Sequence, residues 1–69
     1  MKLSARNILK GKVVQIVKGA VNSEILIELP GGEKLVSIIT NTSVESLALA
    51  EGKPAYAVIK ASSIMIGVD

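Results

Sequence analysis

The 69-residue chain contains no cysteine, no histidine, no tryptophan and no phenylalanine. Without cysteine there is no disulfide and no thiolate metal site. Without histidine the commonest general base and the commonest metal ligand are both missing. A structural zinc site is thereby excluded, and so is a Ser-His-Asp triad. The only aromatic residue is Tyr56, whereas single-strand nucleic-acid binding by small barrels relies on aromatic platforms for base stacking. No run approaches the ~18 consecutive apolar residues of a membrane span, and no hydrophobic core region of a signal peptide follows Lys2. The expectation is a cytoplasmic protein with neither nucleic acid nor membrane as partner. A net charge of +2 permits anionic ligands without demanding them.

What the chain does have is aliphatic. Hydrophobic residues make up 49% of it, mostly Val, Ile, Leu and Ala, and the β-branched ones favour pleated sheets. So short a chain forms one domain, residues 1–69, near the lower size limit for independent folding. It cannot bury that many aliphatic side chains in its own core. The excess is most simply covered by further copies, so a homo-oligomer is expected.

Gly11, Gly19, Pro30-Gly31-Gly32, Gly52, Pro54 and Gly67 punctuate short β-rich runs, the pattern of a small all-β fold. A first strand is predicted over roughly residues 8–18, with Gly11 marking a bulge or bend. The second, AVNSEILIELP, alternates a wet face (Asn22, Glu24, Glu28) with a dry one (Val21, Ile25, Ile27, Leu29). PGGEK is a hairpin turn and LVSIIT the third strand. Thr42 or Ser43 is a candidate cap for a short helix anchored by Leu47. AYAVIK and IMIGV complete the set as fourth and fifth strands. Five strands with one short helix between the third and fourth is the element order of an OB-like Greek-key barrel.

Catalysis finds little support. Glu24 and Glu28 share a strand face but stand four residues, roughly 13 Å, apart. A glycosidase-type carboxylate pair needs ~5–9.5 Å. The other acids sit in or beside turns or at the chain end, where acids are ordinary solvated groups. The lysines are scattered along the chain and read as solubilising charges. Three stretches stand out instead as hydrogen-bond donors: Ser4-Ala5-Arg6-Asn7, Thr40-Asn41-Thr42-Ser43 and Lys60-Ala61-Ser62-Ser63. Together they offer two cations, hydroxyls, an amide and backbone N–H groups among small residues, which suits a small oxyanion. Each also has a plain structural reading, as an edge tail, a helix cap and a strand-end lysine.

SARNILKGKV at residues 4–13, ITNTSV at 39–44 and VIKAS at 58–62 resemble, in order and spacing, motifs of the Mop family, the molbindins. The resemblance covers essentially the whole chain. It implies an OB-like barrel that binds molybdate or tungstate without turnover and needs no organic cofactor. It also implies hexamers, trimers of dimers in which strands cross between partners and the anion lies at subunit interfaces. Carried over by motif, the molybdate-binding residues are Ser4, Ala5, Arg6, Asn7, Thr40, Ser43, Lys60, Ala61 and Ser62. The role implied is intracellular storage or homeostasis of the oxyanion. The alternatives are a detached sensing domain and, from another class, a small OB-type nucleic-acid or protein-interaction module.

Overall fold

Twelve residues from Asn7 to Lys18 form one long strand, β1, and the other strands are laid along it. The computed structural model describes all of residues 1–69. Its further elements are β2 (Asn22–Glu28), β3 (Lys34–Thr40), a short helix α1 (Asn41–Ser46), β4 (Pro54–Ile59) and a single 3₁₀ turn over Ala61–Ser63. All pairings are antiparallel and the sheet order is β3-β2-β1-β4. Three consecutive hairpin-linked strands with a fourth returning beside the first make a Greek key. β1 serves two partners: Asn7 to Lys12 pair with β4, and Lys12 to Lys18 pair with β2. A strand shared in halves must bend, and the sheet curls around the face it turns inward.

The bend is made at Val14. Val13 faces Ile27 and Gln15 faces Leu26, so Val14 is an extra residue in β1, which is a β-bulge. Gly52 N–H donates to Val13 O, and Val13 N–H to Lys53 O, lacing the loop before β4 onto the bulge. The expected bulge at Gly11 therefore lies three residues too early. Gly11 serves close approach instead: a Cβ there would sit 2.7 Å from both Glu28 O and Ile27 Cγ2.

The predicted alternation of β2 holds through its centre. Ser23, Ile25 and Ile27 are buried on one face, and Val13 joins them from β1. Ile16, Ile39, Val44, Leu49, Ala55 and Ala57 pack around this core. Val21, expected on the dry face, is exposed because it lies in the turn before β2. Leu47, expected as the helix anchor, is also exposed, and Val44 and Leu49 take that role. The helix starts two to three residues earlier than expected: Thr40, not Thr42 or Ser43, is its cap.

The fifth strand does not form. Residues 64–69 follow the 3₁₀ turn without regular structure, and Met65, Ile66 and Val68 are 92%, 89% and 93% exposed. The alternation in IMIGV is right for a strand, but a strand needs a neighbour, and within one chain this segment has none. The curled sheet is consequently left open between its edge strands, β3 and β4. An apolar cleft of about 440 Å³ lies there, reaching Ile25 and Ile27 between Ile39 of β3 and Ala55 of β4.

The surface reflects this openness. A folded monomer of 7.2 kDa should expose about 4,100 Å², yet this chain exposes 5418 Å². Its radius of gyration is 12.7 Å, against about 11 Å for a compact domain of this length. Only three apolar residues, Val13, Ile25 and Ile27, are buried. The aliphatic content of the sequence is mostly left uncovered by the fold.

Candidate functional site

Ser4, Ala5 and Arg6 lead directly into β1, and Asn7 is its first residue. Asn7 faces Ile59, the last residue of β4, so Lys60 emerges beside it. The β1–β4 ladder thus brings two of the three donor stretches to one end of the sheet. Lys60 caps the 3₁₀ turn with extended backbone. The hydrogen bonds of that turn are donated by Ser63 N–H to Lys60 O and by Ile64 N–H to Ala61 O. The N–H groups of Ala61 and Ser62 precede them, and the first donors of a helical turn have no acceptor within it.

Positive charge predominates in the segments that carry β1 and β4. Residues 1–23 and 52–68 contain seven of the eight cations and not one Asp or Glu. The pairing of β1 with β4 sets Lys60 at the same end as Arg6 and lays Lys10 and Lys12 beside β4, whereas Lys18 lies at the far end of β1 opposite Ser23. Lys10 and Tyr56 are cross-strand partners, and the Lys10 Nζ lies 6.0 Å from the ring centroid, at the outer range of a cation–π contact. The acids are Glu24 and Glu28 in β2, Glu33 in the turn before β3, Glu45 in α1, Glu51 in the loop before β4 and the terminal Asp69. Neither Ser4–Asn7, nor β4, nor Lys60–Ser63 contains an Asp or Glu.

The third stretch lies elsewhere. Thr40 closes β3 opposite Asn22, next to where Ser23 faces Lys18 at the far end of β1. The path along β1 between the two ends is about 36 Å at ~3.3 Å per residue. Thr40 Oγ1 accepts the Ser43 N–H at 3.0 Å, and the two hydroxyls share a bond of 2.8 Å. One hydroxyl proton of the pair is used in that bond, so one is left to offer outside. None of the chain's side-chain hydrogen bonds links this turn to Ser4, Arg6, Asn7, Lys60 or Ser62.

Sequence reasoning overlooked Ser23, and it named Asn41 only as one member of a donor-rich turn, not as the partner of Ser23. Ser23 is only 3% exposed, on the inward face of β2. Its Oγ donates to Asn41 Oδ1 at 2.5 Å, and Asn41 Nδ2 donates to Gly19 O at 3.0 Å. The polar residue in an otherwise apolar alternation, Ser23-Ile25-Ile27, was the available signal. Glu51, expected to be a solvated turn residue, is engaged as well: its carboxylate accepts Ile16 N–H at 3.2 Å, just past the bulge. No cluster of Asp or Glu is placed to hold a metal cation.

A four-stranded Greek-key sheet, curled and open, with oxyanion-type donors at both ends of its longest strand, defines a class of small β-barrel binding domain. The family model that matches is the TOBE domain, over residues 3–66. The chain belongs to the TOBE domain family and, within it, groups with the Mop proteins. It is 52% identical over 69 residues to the probable molybdenum-pterin-binding protein of Haemophilus influenzae, with both chains covered in full. The structure of MopII from Clostridium pasteurianum superposes with a TM-score of 0.92 at 48% identity, covering 97% of this chain and 100% of that one. The cytoplasmic molybdate-binding protein ModG, solved with molybdate bound, gives a TM-score of 0.95 at 48% identity, covering 100% of this chain but 49% of its own. These neighbours share the curled antiparallel sheet and short helix of an OB-like fold.

Proposed function

We propose that this protein binds molybdate or tungstate, without turnover and with no organic cofactor, at sites completed between copies of the chain, and serves to store or buffer the oxyanion in the cytoplasm. The observation that carries the shared-site reading is the placement of the donors. Ser4 to Asn7 and Lys60 to Ser62 sit at one end of β1, Thr40 and Ser43 at the other. A second copy supplies what one chain keeps apart. Molybdate-binding relatives of nearly the same fold support the choice of ligand. The excess surface, about 1,300 Å² over a compact monomer, supports the oligomer, for which the Mop resemblance suggests a hexamer built as a trimer of dimers. In this assembly residues 64–68 of one copy cross to the open cleft of another and form its fifth strand.

The chemistry follows from the ligand. Molybdate at neutral pH is a tetrahedral dianion whose oxygens only accept hydrogen bonds. Arg6 and Lys60 offset its charge through charge-assisted bonds. The Ser4 and Ser62 hydroxyls, the Asn7 amide, the backbone at Ala5 and Ala61, and the single free proton of the Thr40–Ser43 pair satisfy its oxygens. Sulfate has the same charge and shape, so rejection of it rests on a cavity sized for the larger ion. Phosphate carries a proton at neutral pH that needs an acceptor, and no carboxylate is placed to serve it.

Calorimetric titration of metal-free protein with molybdate, tungstate, sulfate and phosphate tests this reading. Molybdate and tungstate should bind at least tenfold more tightly than sulfate, a difference of about 1.4 kcal/mol. Equal affinities for molybdate and sulfate, or no heat with either, contradict it.

A further inference from the structure

The donors of the Thr40–Ser43 turn are useful to an anion only if they are held still, because loosely held groups lose affinity to ordering entropy. Beside the pairing of Thr40 with Asn22, Asn41 ties the turn to the β1–β2 turn and the start of β2 in three places. Its backbone N–H donates to Val21 O at 2.8 Å, its Nδ2 to Gly19 O at 3.0 Å, and its Oδ1 accepts from Ser23 Oγ at 2.5 Å. Gly19 N–H in turn donates to Asn22 O at 2.9 Å, closing the β1–β2 turn on itself. Ser23 is the anchor of this network. It faces Ile39 across β2 and β3 and is the only polar residue among the buried ones. A buried hydroxyl is retained only with a partner, and a network whose members are all satisfied is rigid.

We infer that Ser23 and Asn41 are positioning residues for the oxyanion site: the buried Ser23 hydroxyl fixes the Asn41 side chain, and Asn41 fixes the directions of its neighbours Thr40 and Ser43. The inference rests on the oxyanion reading above but adds residues that touch no ligand. Ser23 is buried, and the Asn41 carboxamide is bonded to Ser23 and Gly19 rather than to the Thr40 or Ser43 hydroxyl. A small recess lined by Ile16, Lys18, Ser23, Asn41, Val44 and Glu45 lies beside the pair. A methyl group is therefore accommodated more easily at Ser23 than at the tightly packed Ile25.

The test uses Ser23→Ala, Ser23→Thr, Asn41→Ala and the Ser23→Ala/Asn41→Ala double variant, each titrated with molybdate. Loss of one buried hydrogen bond should weaken binding about five- to tenfold in Ser23→Ala, with stoichiometry unchanged. A merely structural role would instead lower the number of competent sites and leave the affinity of the rest intact. Ser23→Thr keeps the hydroxyl and should restore binding to within about twofold. The double variant should bind no more weakly than Asn41→Ala, because the pair acts as one unit. Wild-type affinity in Ser23→Ala, or additive losses in the double variant, overturns the inference. Amide hydrogen exchange at Ser43 in ligand-free protein separates this from the ligand assignment. If the wild type binds no molybdate, the oxyanion reading fails, and the exchange then decides alone: faster exchange in Ser23→Ala than in wild type supports the positioning role, and equal rates overturn it.

Discussion

Arg6→Ala is expected to bind molybdate about 1.5–3 kcal/mol more weakly than the wild type, the range for a hydrogen bond to a charged group. That corresponds to roughly ten- to 150-fold in dissociation constant. The size of the effect follows from where Arg6 sits. It precedes β1 by one residue, at the end of the ladder where Lys60 emerges, and no acid lies between residues 1 and 23 to take its charge. Its guanidinium is planar with five donors, so it bonds two oxygens at once, which a lysine does not. Arg6→Lys should accordingly recover only part of the affinity. The fold should be unaffected, because Arg6 is exposed and stands outside the strand. Titration calorimetry decides the matter, and an Arg6→Ala variant with wild-type affinity would remove Arg6 from the site.

Deleting Ile64 to Asp69 should have a larger effect, abolishing both assembly and molybdate binding. Met65, Ile66 and Val68 are almost fully exposed in the single chain. Burying three such side chains contributes roughly 5–9 kcal/mol, as an upper bound. The receiving cleft between β3 and β4 has unpaired strand edges and an apolar lining, and unpaired edges of this kind are templates for another strand. With the segment removed, the β1–β2–β3 pairing and the core around Val13 and Ile25 persist, so the circular dichroism of a β protein should remain. Light scattering should report a monomer of the truncated chain. A truncated protein with the assembly mass of the wild type would show that this segment does not hold copies together. Ile66→Asp places one charge in the same segment and should give the same outcome, less completely.

These expectations depend on features of unequal visibility in the sequence. The four strands and the helix were legible because their signals are local. Alternation in NSEILIE, glycines at 31 and 32 with Pro30 in the hairpin, and Thr40 to Ser43 at a helix start each act within a few residues. The Greek-key order was legible from element order. The bulge at Val14 was not, because its position is set by how the loop at Gly52 and Lys53 laces onto Val13, a contact nearly forty residues away along the chain. A Val-Val pair gives no local sign of it, whereas Gly11 gives a sign that has another cause. The fifth strand was legible as a pattern but not as a pairing, since pairing is a property of neighbours and the sequence does not say in which chain they lie.

The candidate site divides in the same way. Donor types could be read from composition, and the Mop motifs singled out the residues. What only the fold supplies is their grouping: register puts Asn7 beside Ile59 and Lys60, and sends Thr40 to the other end of β1. The placement of Lys60 at the same end of the sheet as Arg6 is likewise invisible until β4 is laid against β1. Ser23 looked like a blemish in an apolar alternation, and its meaning came from the bond to Asn41, eighteen residues on.

The central claim, that two copies complete one site, is tested most directly by mixing two defective proteins. Arg6→Ala lacks its cation but keeps an intact Thr40–Ser43 turn, and Ser43→Ala keeps Arg6 but loses the hydroxyl. Each alone should bind molybdate weakly. Unfolded together in equal amounts and refolded, they should assemble at random, and about one quarter of the sites should then combine Arg6 from one chain with Ser43 from another. Calorimetry of the mixture should show that fraction of sites with wild-type affinity. A mixture that binds no better than the two variants measured separately would contradict a site shared between copies.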